Sequence, residues 1–271
     1  LVDLGDPYSG YNRSIPISSF LPPLLAELGL PTVVHGLDSV SPKYGLTHRH
    51  INQALGLSVD HSTAEAKARI ENTSIGWSYV DQKSYCKGLH DMVPLRDRVI
   101  KRTVINTVET LIGPLRGKTT HSILGYVHKP YPPIYAHLVK SSGMDTALLV
   151  RGVEGGVVPS LRQKGLMISY QGTKEQDRVD IDPSSIGIDQ DMRAISFPGE
   201  MDVKSDIKDL AEYTVKLGRS ALSGEQGLFY DGLVLSASLI LWHTKKASSL
   251  LKAAQIVRAV LDSGKVLNRL K

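Results

Sequence analysis

The stretch Thr146-Ala147-Leu148-Leu149-Val150-Arg151-Gly152-Val153-Glu154-Gly155-Gly156 decides the fold class. Its first five residues are apolar or β-branched without a break, which suits a strand buried on both faces, as in a parallel sheet. The run then empties into a glycine-rich turn. A loop of that composition at a strand's carboxyl end is where open α/β sheets place ligands.

Outward from this strand, short apolar runs alternate with helix signals. Leu1 to Leu4, Thr32 to His35, Ile75 to Val80, Ser122 to Val127 and Leu166 to Tyr170 read as further strands. Between them, Ser19 to Leu28 reads as a helix closed by Gly29, with Pro22-Pro23 in its first turn. Thr47 to Leu55 is a second helix, and Ser62 with Glu65 forms the capping box of a third. Met92 to Leu111 reads as mostly helical and Tyr135 to Ser142 as another helix. Alternation of this kind predicts an α/β fold with a central, mostly parallel sheet flanked by helices. Toward the C-terminus, Ile207, Leu210, Ala211, Thr214 and Leu217 keep helical spacing up to a stop at Gly218. Leu228 to Leu241 is apolar on nearly every face and should be buried, and Leu250 to Leu261 is the last helix, before Gly264. The polar segment Gly172 to Asp191 reads as a surface hairpin or loop.

A hydrophobic fraction of 41% with 22% charged residues excludes a mainly disordered chain. No run approaches the roughly 18 apolar residues of a membrane span. The lone Cys86 excludes an intramolecular disulfide and a cysteine zinc site, and points to a reducing compartment, cytoplasm or plastid stroma. A net charge of +5 fits anionic ligands such as phosphates or nucleic acid. The chain begins within a predicted strand, which reads as a fragment whose upstream residues, and any targeting signal, lie outside it.

Candidate site residues gather at the predicted strand ends. Gly5, Asp6 and Gly10 lie in the first loop, whose glycines have Walker-A spacing without the following Gly-Lys-Ser/Thr, so a P-loop is excluded. Ser14, Ser18 and Ser19 open the first helix, where hydroxyls and free N–H groups either bind an anion or cap the helix. His35-Gly36 closes the second strand. His48 and His50 are two residues apart on a helix and do not share a face for a metal. Arg98, Lys101 and Arg102 share one helical face, a basic surface, while Arg96 points elsewhere. No Gly-x-Ser-x-Gly elbow is present.

Taken in order, Val2-Asp3-Leu4-Gly5-Asp6, Ser14-Ile15-Pro16-Ile17-Ser18-Ser19, His35-Gly36, Gly45, Ala54-Leu55-Gly56, Arg96, Arg102-Thr103, Asn106, Gly113-Pro114-Leu115, Ala147 to Gly152 and Asp231 to Ala237 resemble the anthranilate phosphoribosyltransferase family. That family belongs to a wider glycosyltransferase group that includes the pyrimidine nucleoside phosphorylases. The resemblance implies one α/β domain over residues 1–271, with 85–115 contributing to a small helical subdomain and the family's N-terminal helices missing. It also implies a homodimer and a place in tryptophan biosynthesis. Phosphoribosyl pyrophosphate (PRPP) would be held by Gly5, Asp6, Gly10, Ser14, Ser18 and Ser19. The aromatic acceptor would be held by His35, Gly36 and Arg96. Magnesium would ride on the diphosphate, with Ser18 and Glu154 as ligand candidates where Val157-Val158 stand at the family's acidic pair. Val34 and Leu37 replace the family's Lys and Asn, and Pro7 and Tyr8 enter its phosphate loop.

Three functions follow as expectations. The first is pentosyl transfer from PRPP to an aromatic acceptor, through an oxocarbenium-like state stabilised mainly by positioning and charge. The second is a non-catalytic relative that binds nucleic acid through Lys87, Arg96, Arg98, Lys101, Arg102, Arg116 and Lys118, among which few aromatics lie. The third is a nucleoside phosphorylase, which needs no diphosphate metal.

Overall fold

A computed structural model describes residues 1–99, 101–171, 177–199 and 201–271. Strands β1 (Val2–Gly5), β2 (Thr32–Gly36), β3 (Trp77–Asp81), β4 (His121–Tyr126), β5 (Thr146–Arg151), β6 (Gly165–Gln171) and β7 (Asp177–Ile181) join in one sheet. Its order is β3-β2-β1-β4-β5-β6-β7. The first five are parallel, Leu4 lying opposite Val34 on one side and Ile123 on the other. β6 runs antiparallel to β5, and β7 antiparallel to β6. The fold is therefore α/β with a mostly parallel sheet, as the alternation of strand and helix signals predicts.

Period-two alternation explains why both faces of the sheet are dry. On β5, Leu148 and Val150 enter a large core with Leu4, Val34 and Ile123. Ala147 and Leu149 enter a smaller core with Leu124 and Ile168. Helices α1 (Leu21–Glu27), α2 (His48–Ala54), α6 (Ile207–Leu222), α7 (Leu228–His243) and α8 (Leu250–Asp262) belong to the larger side, α5 (Tyr131–Ser141) to the smaller. Helix α3 (Thr63–Glu71) packs Ala66 against Val33 and Val80, and its Ser62/Glu65 capping box is formed. Leu233, Leu235 and Leu239 of α7 are at most 1% exposed, each contributing roughly 1.5–3 kcal/mol of burial.

Several sequence expectations are corrected. The helical region from Met92 is broken into α4 (Val93–Val99), a short helix Ile105–Val108 and a 3-10 turn Glu109–Leu111. Arg98 therefore lies in the last turn of α4, while Lys101 and Arg102 are outside any helix; Ile100 falls outside the described residues. Helix α5 begins at Tyr131, because prolines at the start of a helix remove only N–H groups that have no partner there. Helix α6 runs through Gly218 to Leu222 instead of stopping there. A Cβ at Gly218 would lie 2.3 Å from the Phe20 ring, so this glycine serves close packing rather than a cap. Within 172–191, Asp177–Ile181 forms the edge strand β7, and 172–176 lies outside the described residues.

One polar cluster fastens the sheet to α7. His243 Nε2 meets Thr146 Oγ1 at 2.9 Å, the same hydroxyl lies 2.8 Å from His121 Nδ1, and Ser169 Oγ meets His243 Nδ1 at 2.7 Å. Burial, aided by the nearby His121 and Lys245 charges, pushes His243 down to about 3. A histidine that stays neutral when folded but charges when unfolded contributes stability that is lost as pH falls below about 6.5. Between pH 7 and pH 5 the loss should be about 2 kcal/mol. Urea unfolding of the parent and of His243→Gln at both pH values checks this: the parent should lose that much more than the variant.

Candidate functional site

From β1 the chain passes to β2 on one side, and from β4 it passes to β5 on the other. Loops after β1 and β4 therefore diverge, opening a crevice at the carboxyl ends of the strands. A cleft of about 460 Å³ occupies that place, a size typical of small-molecule sites. Gly5, Pro7 and Tyr8 line it together with Glu154 and Gly155. The lining includes the polar residues Arg102, Thr103, Asn106, Thr107 and Thr110 and the aromatic residues Tyr126, His128, Tyr131 and Tyr135. The Tyr131 ring sits 5.9 Å from His128 and 5.7 Å from Tyr135, distances at which aromatic rings interact favourably.

Beside this cleft, the residues expected to bind phosphate are brought together, but around an internal anion. The Asp6 carboxylate, 1% exposed, accepts from Tyr11 Oη (3.0 Å), His48 Nε2 (3.1 Å), the Val157 N–H (2.9 Å) and the Ser18 hydroxyl. Burial works to raise the Asp6 pKa, yet the bond and charge of His48, the Ser18 hydroxyl and the Val157 N–H outweigh it and hold the carboxyl below its ordinary value. Ser19 Oγ reaches the other ring nitrogen of His48 at 2.8 Å. This Ser19–His48–Asp6 chain has the order of a nucleophilic triad, but Ser19 is 3% exposed and does not line the cleft. Gly10 has φ 69°, and a Cβ there would lie 2.6 Å from the Gly45 backbone, so its role is a tight turn against that neighbour.

Glu154 is the second internal anion. It accepts from the Asn12 N–H (3.2 Å), the Arg13 N–H (3.0 Å), Ser14 Oγ (2.9 Å) and Lys43 Nζ (3.1 Å). Lys43 also donates to the Gly10 and Glu154 carbonyls and lies 5.8 Å from the Tyr11 ring centre. Burial raises the Glu154 pKa, but Lys43 and these donors more than offset it, leaving the carboxylate below its ordinary value. Burial lowers the Lys43 pKa against the opposing pull of Glu154. Glu154 holds φ 54°, a left-handed angle that costs a non-glycine residue roughly 1–2 kcal/mol.

These contacts do not fit a protein-held magnesium. The cation needs several oxygens in octahedral array, whereas the Glu154 oxygens face an ammonium and N–H groups, Ser18 Oγ is turned to Asp6, and Val157 and Val158 are buried apolar side chains. Among the described residues, no three His, Cys, Asp or Glu gather to hold a metal.

His35 is fully buried, its Nε2 on Asp3 Oδ1 at 3.1 Å and its Nδ1 facing the Tyr8 and Tyr85 hydroxyls, Tyr85 at 3.3 Å. It touches the cleft only through Tyr8, whose own pKa burial drives well up. Gly36, also at the end of β2, does not line the cleft. Arg96 is 2% exposed and gives both terminal nitrogens to Glu109, at 2.6 and 3.0 Å. Burial pushes the Glu109 carboxyl up while Arg96 pulls it back. In this packing Arg96 supports the cleft through Glu109 and, being buried, does not itself line it. Of the basic trio only Arg102 lines the cleft. Tyr126, His128, Tyr131, Tyr135 and Lys43 were not among the sequence candidates; the prolines at 130, 132 and 133 were the sign that a helix starts there, beside aromatic side chains.

Because a buried ion pair loses far more when one partner is removed than when both are, Arg96→Met should cost about 3–5 kcal/mol and the double variant Arg96→Met/Glu109→Leu should recover most of it. Denaturant midpoints of the two variants and the parent check this.

Comparison with known proteins agrees with the geometry of the sheet. Over residues 10–267 the chain matches the family model described as "Glycosyl transferase family, a/b domain". It is 26% identical over 249 residues to an uncharacterized protein of Aquifex aeolicus, covering 92% of this chain and 70% of that one. It is 25% identical over 264 residues to the anthranilate phosphoribosyltransferase of Thermomicrobium roseum, covering 96% and 71%. Among solved structures, anthranilate phosphoribosyltransferase from Saccharomyces cerevisiae in complex with PRPP and Mg superposes with a TM-score of 0.74 at 16% identity, over 95% of this chain and 68% of that one. The Thermus thermophilus enzyme does so with a TM-score of 0.70 at 19% identity, over 95% and 71%. The chain belongs to the a/b-domain glycosyl transferase family.

Proposed function

We propose that the chain is a pentosyltransferase whose cleft at the β1/β4 switch point holds a phosphorylated pentose, such as PRPP, beside an aromatic acceptor. The observation that supports this reading is that Arg102 and the mutually contacting rings of His128, Tyr131 and Tyr135 line one cleft. Arg102 supplies a fixed positive charge for a phosphoryl group. Tyr131 and Tyr135 offer faces on which an aromatic acceptor stacks. Tyr8 lines the cleft with its hydroxyl turned inward onto His35 and Tyr85, which hold the ring in place. Transfer joins the acceptor to ribose C1 as the bond from C1 to the leaving diphosphate breaks. The residues of this chain serve that step by orienting the two partners and excluding water. No step is assigned to a protein-held metal.

Titration calorimetry and product chromatography with PRPP, magnesium and anthranilate test the reading. Arg102→Ala should weaken PRPP binding about 10- to 100-fold, the loss of one charge-assisted contact. Tyr131→Ala should weaken acceptor binding about 2- to 10-fold. Neither binding nor product with the parent protein would overturn the assignment.

A second reading, a binder of single-stranded nucleic acid, is favoured by the same approach of Arg102 to tyrosines that the linear sequence keeps apart. If it holds, affinity for single-stranded DNA should fall at least about tenfold between roughly 50 and 200 mM salt. Salt-independent affinity would eliminate it.

A further inference from the structure

The loop after β5 places its charged residue at a backbone angle that glycine would hold at lower cost. Glu154, at φ 54°, is flanked by Gly152, Gly155 and Gly156. What the position keeps is therefore the side chain, and that side chain is spent on one contact set. Two consecutive backbone N–H groups, from Asn12 and Arg13, converge on its carboxylate with the Ser14 hydroxyl and the Lys43 ammonium, all within 2.9 to 3.2 Å. Adjacent N–H groups, a hydroxyl and an ammonium aimed at one point are the donors by which proteins hold phosphate. A tetrahedral oxyanion offers more acceptor oxygens to such a set than a planar carboxylate does. Glu154 and Gly155 line the cleft, the four donor residues do not line it themselves, and the Glu154 and Lys43 side chains each retain 11% exposure.

We infer that Asn12, Arg13, Ser14 and Lys43 form a phosphate cradle beside the cleft, that Glu154 is its resident occupant, and that an incoming phosphoryl group displaces it. The inference rests on the cleft being a site for a phosphorylated ligand, but its test does not require that ligand. In the exchange no covalent bond changes. The phosphoryl oxygens take over the four donors, and the Glu154 carboxylate turns out to solvent.

The test is binding of inorganic phosphate at constant ionic strength, by calorimetry and by thermal shift, to the parent, E154G, E154Q and E154G/K43M. E154G, whose backbone angle glycine accepts, should bind phosphate at least about tenfold more tightly than the parent. E154Q should gain less, because its amide oxygen still competes for the N–H groups, and K43M added to E154G should abolish the gain. Phosphate binding no tighter in E154G and E154Q than in the parent, or a gain that survives K43M, would overturn the cradle. PRPP bound by the parent with no gain in E154G would also overturn it and leave the transferase reading standing. A K43-dependent gain in a protein that ignores PRPP would support the cradle and overturn the transferase reading.

Discussion

Two buried or half-buried carboxylates hold the loops at the ends of the parallel strands, and the rest of the site depends on them. Asp6 ties the loop after β1 to α2 through His48 and to the segment after β5 through the Val157 N–H. Glu154 ties that same segment back to residues 12–14 and to Lys43. An ionised carboxylate is costly to bury unless donors surround it, so each must have its full set of donors in place. That requirement fixes three loops relative to one another.

This arrangement changes what the strand ends can do. In an open α/β sheet the loops at the switch point normally offer their N–H groups to a ligand. Here many of those donors already serve the chain's own acids. The open volume lies beside them, lined by Arg102 and by Tyr126, His128, Tyr131 and Tyr135 among others. A site of this composition favours a ligand with one anionic end and one flat apolar end. It places little reliance on a protein-held metal, because the oxygen donors such an ion needs are turned elsewhere.

The family likeness and the site chemistry thus differ in how far they reach. The sheet order, the buried α7 and the cleft position follow from packing rules that tolerate wide sequence change. Catalytic detail does not follow in the same way. Pro7 brings no N–H to the first loop, and Val157 and Val158 bring only apolar side chains to the loop after β5.

The sequence by itself determined the strands other than the edge strand β7, and most helices, because the signals there are local: period-two burial on β5, the Ser62/Glu65 capping box, the all-round apolar face of α7. Where it misled, a distant partner decided. Gly218 sits inside α6 because Phe20 presses on it, and the helical region after Met92 breaks into shorter pieces. The candidate site divides in the same way. Ser18, His35, Glu154 and Arg96 are all near the strand ends, as their order in the chain suggests, but their partners Asp6, Tyr8, Lys43 and Glu109 are set by tertiary packing. Only the folded structure decides whether a polar side chain faces a ligand or another residue, because the energy of a buried charge depends on what surrounds it in space and not on its neighbours in the chain.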